Sequence, residues 1–442
     1  MLLQSCVRNE FGKCDHPAKT IERIIQGFTK IGVEDLAFDD ADESAWASKN
    51  LYWGLSTSAT LRTRTVGKGN SRLLAQASGH AELAERFSSL YFRGHFDTVN
   101  VFFMTENAKA LQDYFRYTHM PGYVHAHQDE LEDPLRVEEI LIHEGHLRRE
   151  DLDEIKAGEN ARHWIDAFSL MENRTRKVPP VLIRYVCGTN GLASGNTLEE
   201  AIIHGACEIF ERYALRKVIR EEEVPTVDIA SITNPDLLNI IESFRKDNVD
   251  VLVKDFSDGG VLPCVGILTI NGDIRSSSVE HRMVHLGASL DMDEALMRCF
   301  AERVQGRVDL EPSDRFGGVP CVSSGEAADY YFLLTDHVTN ADLSFLEEGD
   351  RADFRRTEKI RDCLQEIERI KEICSTLNTD FIVVDHTHPV LEFPVVRVIM
   401  PGISDTLAYH PMELRSKHKF IECVESACAY EKGVMRLIET FG

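Results

Sequence analysis

Two stretches of the 442-residue chain carry the same acids at the same spacing. Gly69-Asn70-Ser71 followed by Ala75, Gly79, Glu82 and Glu85-Arg86-Phe87 recurs 126 residues later as Gly195-Asn196-Thr197, Ala201, Gly205, Glu208 and Glu211-Arg212-Tyr213. A third, degraded copy reads Ala295, Arg298, Glu302, Gln305, with Gln in place of the second acid and Gly306-Arg307 after it. Residues three and four apart share a helix face, so each copy predicts one stripe of small residues followed by acids. In the first copy the stripe is Ala75, Ser78/Gly79, Glu82 and Glu85/Arg86; in the second it is Ala201, His204/Gly205, Glu208 and Glu211/Arg212. A solvated helix face has no reason to demand Ala, Ser or Gly one turn before its acids. Small residues there let a backbone or a ligand approach closely. If the helices converge, Glu82, Glu85, Glu208, Glu211 and Glu302 place five carboxylates around one site, which stays ionised in a partly buried cleft only with divalent cations. An all-oxygen ligand set selects a hard ion, Mg²⁺. Mg²⁺ bridges to phosphates, and Arg86, Arg212 and Arg298 are suited to pair with phosphate oxygens or orient the acids, so ATP held through several Mg²⁺ ions is the expected ligand. The chain has no Gly-x-x-x-x-Gly-Lys-Ser/Thr loop and no kinase-type glycine loop, and the repeat itself is expected to be the nucleotide site.

The elements that must position these residues follow from periodicity. Gly-Asn-Ser/Thr ahead of each acidic helix supplies an N-cap and free backbone N–H groups. A helix is predicted from Thr20 to Ile31, ended by Gly32, and an acidic stretch follows from Glu34 to Glu43. β-Branched runs at 181–186, 249–256, 261–270, 381–384 and 395–399 predict strands alternating with helices, an α/β (α+β) fold with a substantial sheet. Residues from about 92 to 178, charged and weak in strand signals, read as an insertion or cap on a catalytic domain spanning 1–410. Residues 411–442 read as a C-terminal helical appendage.

Composition narrows the classes. With 49 Lys plus Arg against 73 Asp plus Glu, the net charge of −24 opposes a general grip on nucleic acid or anionic membrane. No stretch approaches ~18 uninterrupted apolar residues and the first six residues lack signal-peptide character, so a cytoplasmic protein is expected. The 11 cysteines form no Cys-x-x-Cys pair, which predicts a reduced compartment and no cysteine zinc site. His143-Glu144-Gly145-His146 lacks zinc-protease spacing, and His125-x-His127 and His386-x-His388 have no nearby partner ligands in sequence.

These residues resemble the YcaO family over most of the chain, from about residue 10 to about 410. Gly67-Lys68-Gly69 through Ser78 and Glu82-x-x-Glu85-Arg86 is similar to the first family helix. Asn190 through Thr197, Glu200 and Glu208-x-x-Glu211-Arg212 resembles the second, and Arg298 through Arg307 the third. Val395 through Gly402 is similar to a late family strand. The resemblance implies a YcaO-type fold of repeated β/acidic-helix units around one ATP and Mg²⁺ site. It assigns Glu82, Glu85, Glu208, Glu211 and Glu302 to metal and phosphate, with Lys13, Thr20, Ser78, Arg86, Asn196, Glu200, Arg212 and Arg298 around the nucleotide. Thr20 stands where the family uses Ser. The implied activity is ATP-dependent phosphorylation of a peptide backbone amide oxygen, after which a Cys, Ser or Thr side chain gives an azoline, or sulfide gives a thioamide. No catalytic protein nucleophile is required.

Two departures direct the choice within the family. The azoline-forming members' Pro-rich ending is replaced here by Arg436-Leu437-Ile438-Glu439-Thr440-Phe441-Gly442. The Asn-Gly, Gln-Gly-Arg and Pro-Gly-x-Ser-Asp runs resemble the stand-alone bacterial type, accessory to methylthiolation of a ribosomal small-subunit protein, without that type's long helical-repeat domain. The implied partners are a peptide or protein substrate and a sulfur-delivery or methylthiotransferase protein, with a homodimer as the expected assembly. The competing readings are a non-catalytic ATP-binding scaffold that recruits a modifying partner, and a thioamide- or azoline-forming enzyme.

Overall fold

The computed structural model describes residues 1–40, 50–61, 63–89, 120–141, 153, 156–218, 223–273, 281–304 and 343–404. The predicted appendage at 411–442, the His143–His146 run and Gln305-Gly306-Arg307 lie outside these. Eight helices are described: α1 (Pro17–Lys30), α2 (Arg72–Ser88), α3 (Val137–Leu141), α4 (Pro180–Cys187), α5 (Leu198–Val218), α6 (Pro235–Lys246), α7 (Met292–Val304) and α8 (Cys363–Thr376). The strands are β1 (Ala37–Asp40), β2 (Tyr52–Ser58), β3 (Thr63–Gly69), β4 (Val124–His125), β5 (His163–Ser169), β6 (Arg174–Val178), β7 (Leu192–Ser194), β8 (Thr226–Asp228), β9 (Val249–Asp255), β10 (Cys264–Asn271), β11 (Arg282–Ala288), β12 (Arg351–Asp353), β13 (Ile382–Asp385) and β14 (Val395–Ile399).

They form three sheets: β1-β2-β3, β11-β10-β9-β8-β12, and β4-β5-β13-β14-β7 with β6 on β5. Every pairing is antiparallel except β12 with β8. This is the expected mixed helix-and-sheet class on its α+β side. Two expectations change. The apolar run 181–186 is helix α4, not a strand. Pro180 opens it with a preset φ, and packing of the buried Val181, Leu182, Ile183 and Val186 overrides the strand propensity of its β-branched residues. The end of the 92–178 segment is also no cap: β5 pairs with β13 and β6 with β5, and Trp164, Ile165 and Val178 are fully buried.

The repeat is visible as three strand-to-helix units, β3–α2, β7–α5 and β11–α7. Each N-cap carbonyl four residues before the stripe alanine closes the first helical turn, with Ala75 N to Ser71 O at 2.9 Å, Ala201 N to Thr197 O at 3.1 Å and Ala295 N to Asp291 O at 2.9 Å. Eight residues before those alanines stand Gly67, Ala193 and Gly287. A Cβ on Gly67 would sit 1.9 Å from the Ala75 carbonyl oxygen, and one on Gly287 2.0 Å from that of Ala295. The small residues of the stripe serve the same packing: a Cβ on Gly79 would fall 3.2 Å from Gly67 N, and one on Gly205 2.8 Å from Gly191 O. The Ser56 hydroxyl and strand backbone approach Gly79, and the Gly191 backbone approaches Gly205. The strand is pressed onto the first two turns of the helix.

Candidate nucleotide and metal site

Position by position, the three helices present Ser78, His204 and Arg298 at one level, Glu82, Glu208 and Glu302 a turn later, and Glu85 and Glu211 a further turn on. The structure brings these side chains together. Arg86 reaches Glu82 at 3.1 Å and Glu85 at 3.0 Å on its own helix, and the field of Glu208 also acts on it. Glu208 accepts from the backbone N–H of Gly191 at 3.1 Å, a glycine held at φ +79°. Arg212 is half-buried and acts on both Glu208 and Glu211. Lys68 on β3 pairs with Glu302 on α7, and both act on Glu211. Four of the five acids are half-buried and Glu85 is buried.

Crowding of this kind raises carboxyl pKa values. Burial pushes Glu85 up to about 8, with the neighbouring Arg86 opposing and Glu82 and Glu208 adding to the rise. Glu211 is pushed up to about 7 by burial, with Glu302 adding to the rise, and Glu208 is raised for the same first reason. Such a donor set, all oxygen and short of compensation, fits a hard divalent cation. Glu294 behaves oppositely. Although burial opposes it, Arg298, Arg8 and Lys13 hold it down at about 2, so it is the standing counter-ion of Arg298, 3.3 Å away.

Cations also act around His204 of α5. His204 has a solvent-accessible ring set deep among protein atoms, its Nδ1 3.4 Å from Ser194 O. Burial first, then the fields of Arg298, Lys13 and Lys68, push it down to about 3. Cations from the N-terminal segment, β3 and α7 thus act on one imidazole. The N-terminal segment is anchored by Glu200, whose carboxylate accepts from Cys14 N at 3.1 Å, Asn196 N at 3.3 Å and Asn196 Nδ2 at 3.0 Å and pairs with Lys13 at 3.7 Å. Thr20, buried on α1, donates to Asn196 Oδ1 at 2.6 Å. Ser78 is half-buried on α2, one turn before Glu82.

The five acids, Arg86, Arg212 and Arg298 interact within this region, Glu200 and Asn196 are occupied in holding Lys13 and Thr20, and Ser78 is placed only by its position on α2. Sequence reasoning passed over Lys68, Glu294 and His204 as ligands. Glu294 stands four residues before Arg298, a pairing distance on a helix. His204 was on the stripe. Arg397 is buried and donates to Gly188 O at 2.8 Å and Asn190 O at 2.9 Å, shaping the turn that carries Gly191. His388 is spent on backbone, accepting from Val390 N at 3.1 Å.

The family model described as YcaO cyclodehydratase, ATP- and Mg²⁺-binding, matches residues 66–404. The ribosomal protein S12 methylthiotransferase accessory factor YcaO of Escherichia coli is 25% identical over 361 residues, covering 77% of this chain and 57% of that protein. An uncharacterised protein of Haemophilus influenzae is 26% identical over 352 residues with the same coverages. The chain thus spans a little over half the length of these curated relatives. Among solved structures, a heterocyclase in complex with substrate and cofactor superposes with a TM-score of 0.63 at 19% identity, over 91% of this chain and 54% of that one. YcaO from Methanopyrus kandleri, bound with AMPPCP and Mg²⁺, superposes with a TM-score of 0.56 at 17% identity, over 91% and 95%. Repeat, fold and family match agree: the chain belongs to the YcaO family, whose domain binds ATP and Mg²⁺.

Proposed function

We propose that this protein uses ATP to phosphorylate the oxygen of a peptide backbone amide, preparing its carbon for attack by a nucleophile. The reading is supported by the wall of carboxyls that α2, α5 and α7 share, in which burial raises Glu85, Glu208 and Glu211 and Lys68 pairs with Glu302, beside Lys13 and Arg298, which act on His204. Glu82, Glu85, Glu208, Glu211 and Glu302 would hold Mg²⁺, and the cations would meet phosphate oxygens. When bound, Mg²⁺ and ATP supply the γ-phosphoryl group and the charge neutralisation that its transfer requires.

This chain's residues then do the positioning. Gly191 N–H fixes one oxygen of Glu208, and Arg86 fixes Glu82 and Glu85, so the carboxylates need little reorganisation when they receive cations. Glu294 holds the Arg298 guanidinium. Glu200 and Asn196 tie the loop bearing Lys13 to the start of α5. Burial among protein atoms and the cations beside it disfavour a charged His204, so its imidazole can donate or accept one hydrogen bond without adding to the positive charge that would meet an anion.

A peptide substrate is supported by the family's description as cyclodehydratases and by the heterocyclase that shares the fold. The S12 methylthiotransferase accessory factor among the relatives supports a ribosomal-protein setting in which a sulfur-transferring partner acts with this chain. The test is ADP release with Mg²⁺ and candidate peptides. Stimulated release that disappears in Glu208→Gln supports catalysis, and ATP binding with no release for any peptide or partner supports a scaffold.

A further inference from the structure

Outside the carboxylate wall, three thiols meet where the N-terminal segment crosses the starts of α5 and α8. Cys14 Sγ lies 3.2 Å from Cys6 Sγ and 3.4 Å from Cys363 Sγ, and all three sulfurs lie within 4.8 Å of one another. Spacing in sequence predicted no cysteine metal site, because Cys363 is 349 residues from Cys14. Backbone contacts, not the sulfurs, bring them together. Cys363 N–H donates to Cys6 O at 2.9 Å, Arg8 N–H to Arg361 O at 2.9 Å, and Asn9 N–H to Lys13 O at 2.8 Å, closing the turn between Cys6 and Cys14.

Three features point to a ligand. Cys363 is the first residue of α8, and Cys6 Sγ is 3.2 Å from Thr197 Oγ1, immediately before α5, so two helix N-termini favour negative charge at the cluster. The hydrogen-bonded Cys14 thiol and burial push the Cys363 thiol up, and Arg8 supplies a positive field that opposes them. Among the described residues no fourth His, Cys, Asp or Glu ligand atom joins the group. Tetrahedral zinc with Zn–S bonds of about 2.3 Å places its sulfurs about 3.8 Å apart, within the spread seen here. Thiolates select soft or borderline cations over Mg²⁺.

We propose that Cys6, Cys14 and Cys363 form a three-thiolate site for one Zn²⁺ ion, with the fourth position open to water or an added ligand. The site is separate from the carboxylate wall but joined to it. Cys14 N–H binds the same Glu200 carboxylate that pairs with Lys13, so a metal here would clamp the loop that delivers Lys13. That last consequence rests on the nucleotide reading; the metal site itself does not.

The experiment uses the full chain, reduced, freed of metal with chelator and titrated with Co²⁺. The expected result is a thiolate-to-cobalt charge-transfer band that saturates at one Co²⁺ per chain, collapses on adding Zn²⁺, is lost in Cys14→Ser and Cys363→Ser, and persists in Cys187→Ser. Zn²⁺ should also protect Cys6, Cys14 and Cys363 of the parent from iodoacetamide, a readout that needs no variant to fold. Mg²⁺-ATP binding is measured in parallel. Absence of the band in reduced protein that still binds ATP would overturn the site, as would a band retained in both variants or a Cys6–Cys14 disulfide whose reduction yields no metal uptake. A band without ATP binding would overturn the nucleotide reading and leave the zinc site standing.

Discussion

Lys68, in the first strand-to-helix unit, is ion-paired with Glu302, in the third. The contact joins elements 234 residues apart and binds the two outer copies of the repeat across the acids of the middle one. In the metal-free protein it is also a local remedy for carboxylate crowding, since Glu302 raises Glu211 and Lys68 opposes that rise.

Removing the lysine should therefore expose the crowding. Lys68→Met is expected to lower the melting temperature more in chelator than in Mg²⁺, because the cation replaces the lost positive charge. Thermal melts of parent and variant in both conditions check this; an equal loss in both would place Lys68 outside the cradle.

The pH dependence has a definite sign. Glu85 near 8 and Glu211 near 7 hold protons in the folded protein that the unfolded chain releases above the ordinary carboxyl range. Their contribution to stability is full below that range and is lost as pH rises through the folded values. Metal-free protein should lose melting temperature between about pH 5 and 8, and saturating Mg²⁺ should flatten the trend because binding favours the carboxylate form.

The strand-to-helix packing makes its own prediction. Gly67→Ala and Gly287→Ala each force a Cβ against a carbonyl oxygen that belongs to the helix backbone. Each should cost about 1–3 kcal/mol in denaturant unfolding. A cost within the error of the parent would show that the close approach is not needed.

The acids were legible because the site is built three times with one spacing, and a helix converts spacing into direction. Gly67 was legible only as part of a motif and Gly287 not at all; what they approach, the Ala75 and Ala295 carbonyls, required the fold. Helix α4 departs from the strand expectation because β-branched Val181, Ile183 and Val186 carry a local strand propensity that tertiary packing overrides, leaving Pro180 as the helix signal. Glu294 and Lys68 were overlooked because a single acid or base near a motif is the commonest surface arrangement. The Cys6–Cys14–Cys363 cluster has no local signature, being assembled by backbone pairing between the two ends of the domain.

The N-terminal segment is predicted to act on the nucleotide from a distance in sequence. Lys13→Ala should weaken ATP binding on the order of tenfold or more, since a charge-assisted hydrogen bond contributes roughly 1.5–3 kcal/mol. Thr20→Val, which leaves Asn196 Oδ1 without its donor, should show a smaller loss of the same kind. Calorimetric affinities within twofold of the parent for both would assign this segment a purely structural part.

The central claim is one composite Mg²⁺-dependent nucleotide site made by all three helices. Isothermal titration of ATP into the parent and into Glu208→Gln, with Mg²⁺ and with excess chelator, tests it most directly. The expected result is one nucleotide per chain in the parent with Mg²⁺, no measurable binding in chelator, and greatly weakened binding in a variant that keeps its fold by circular dichroism. Two nucleotides per chain, full affinity in chelator or an unchanged affinity in Glu208→Gln would contradict it.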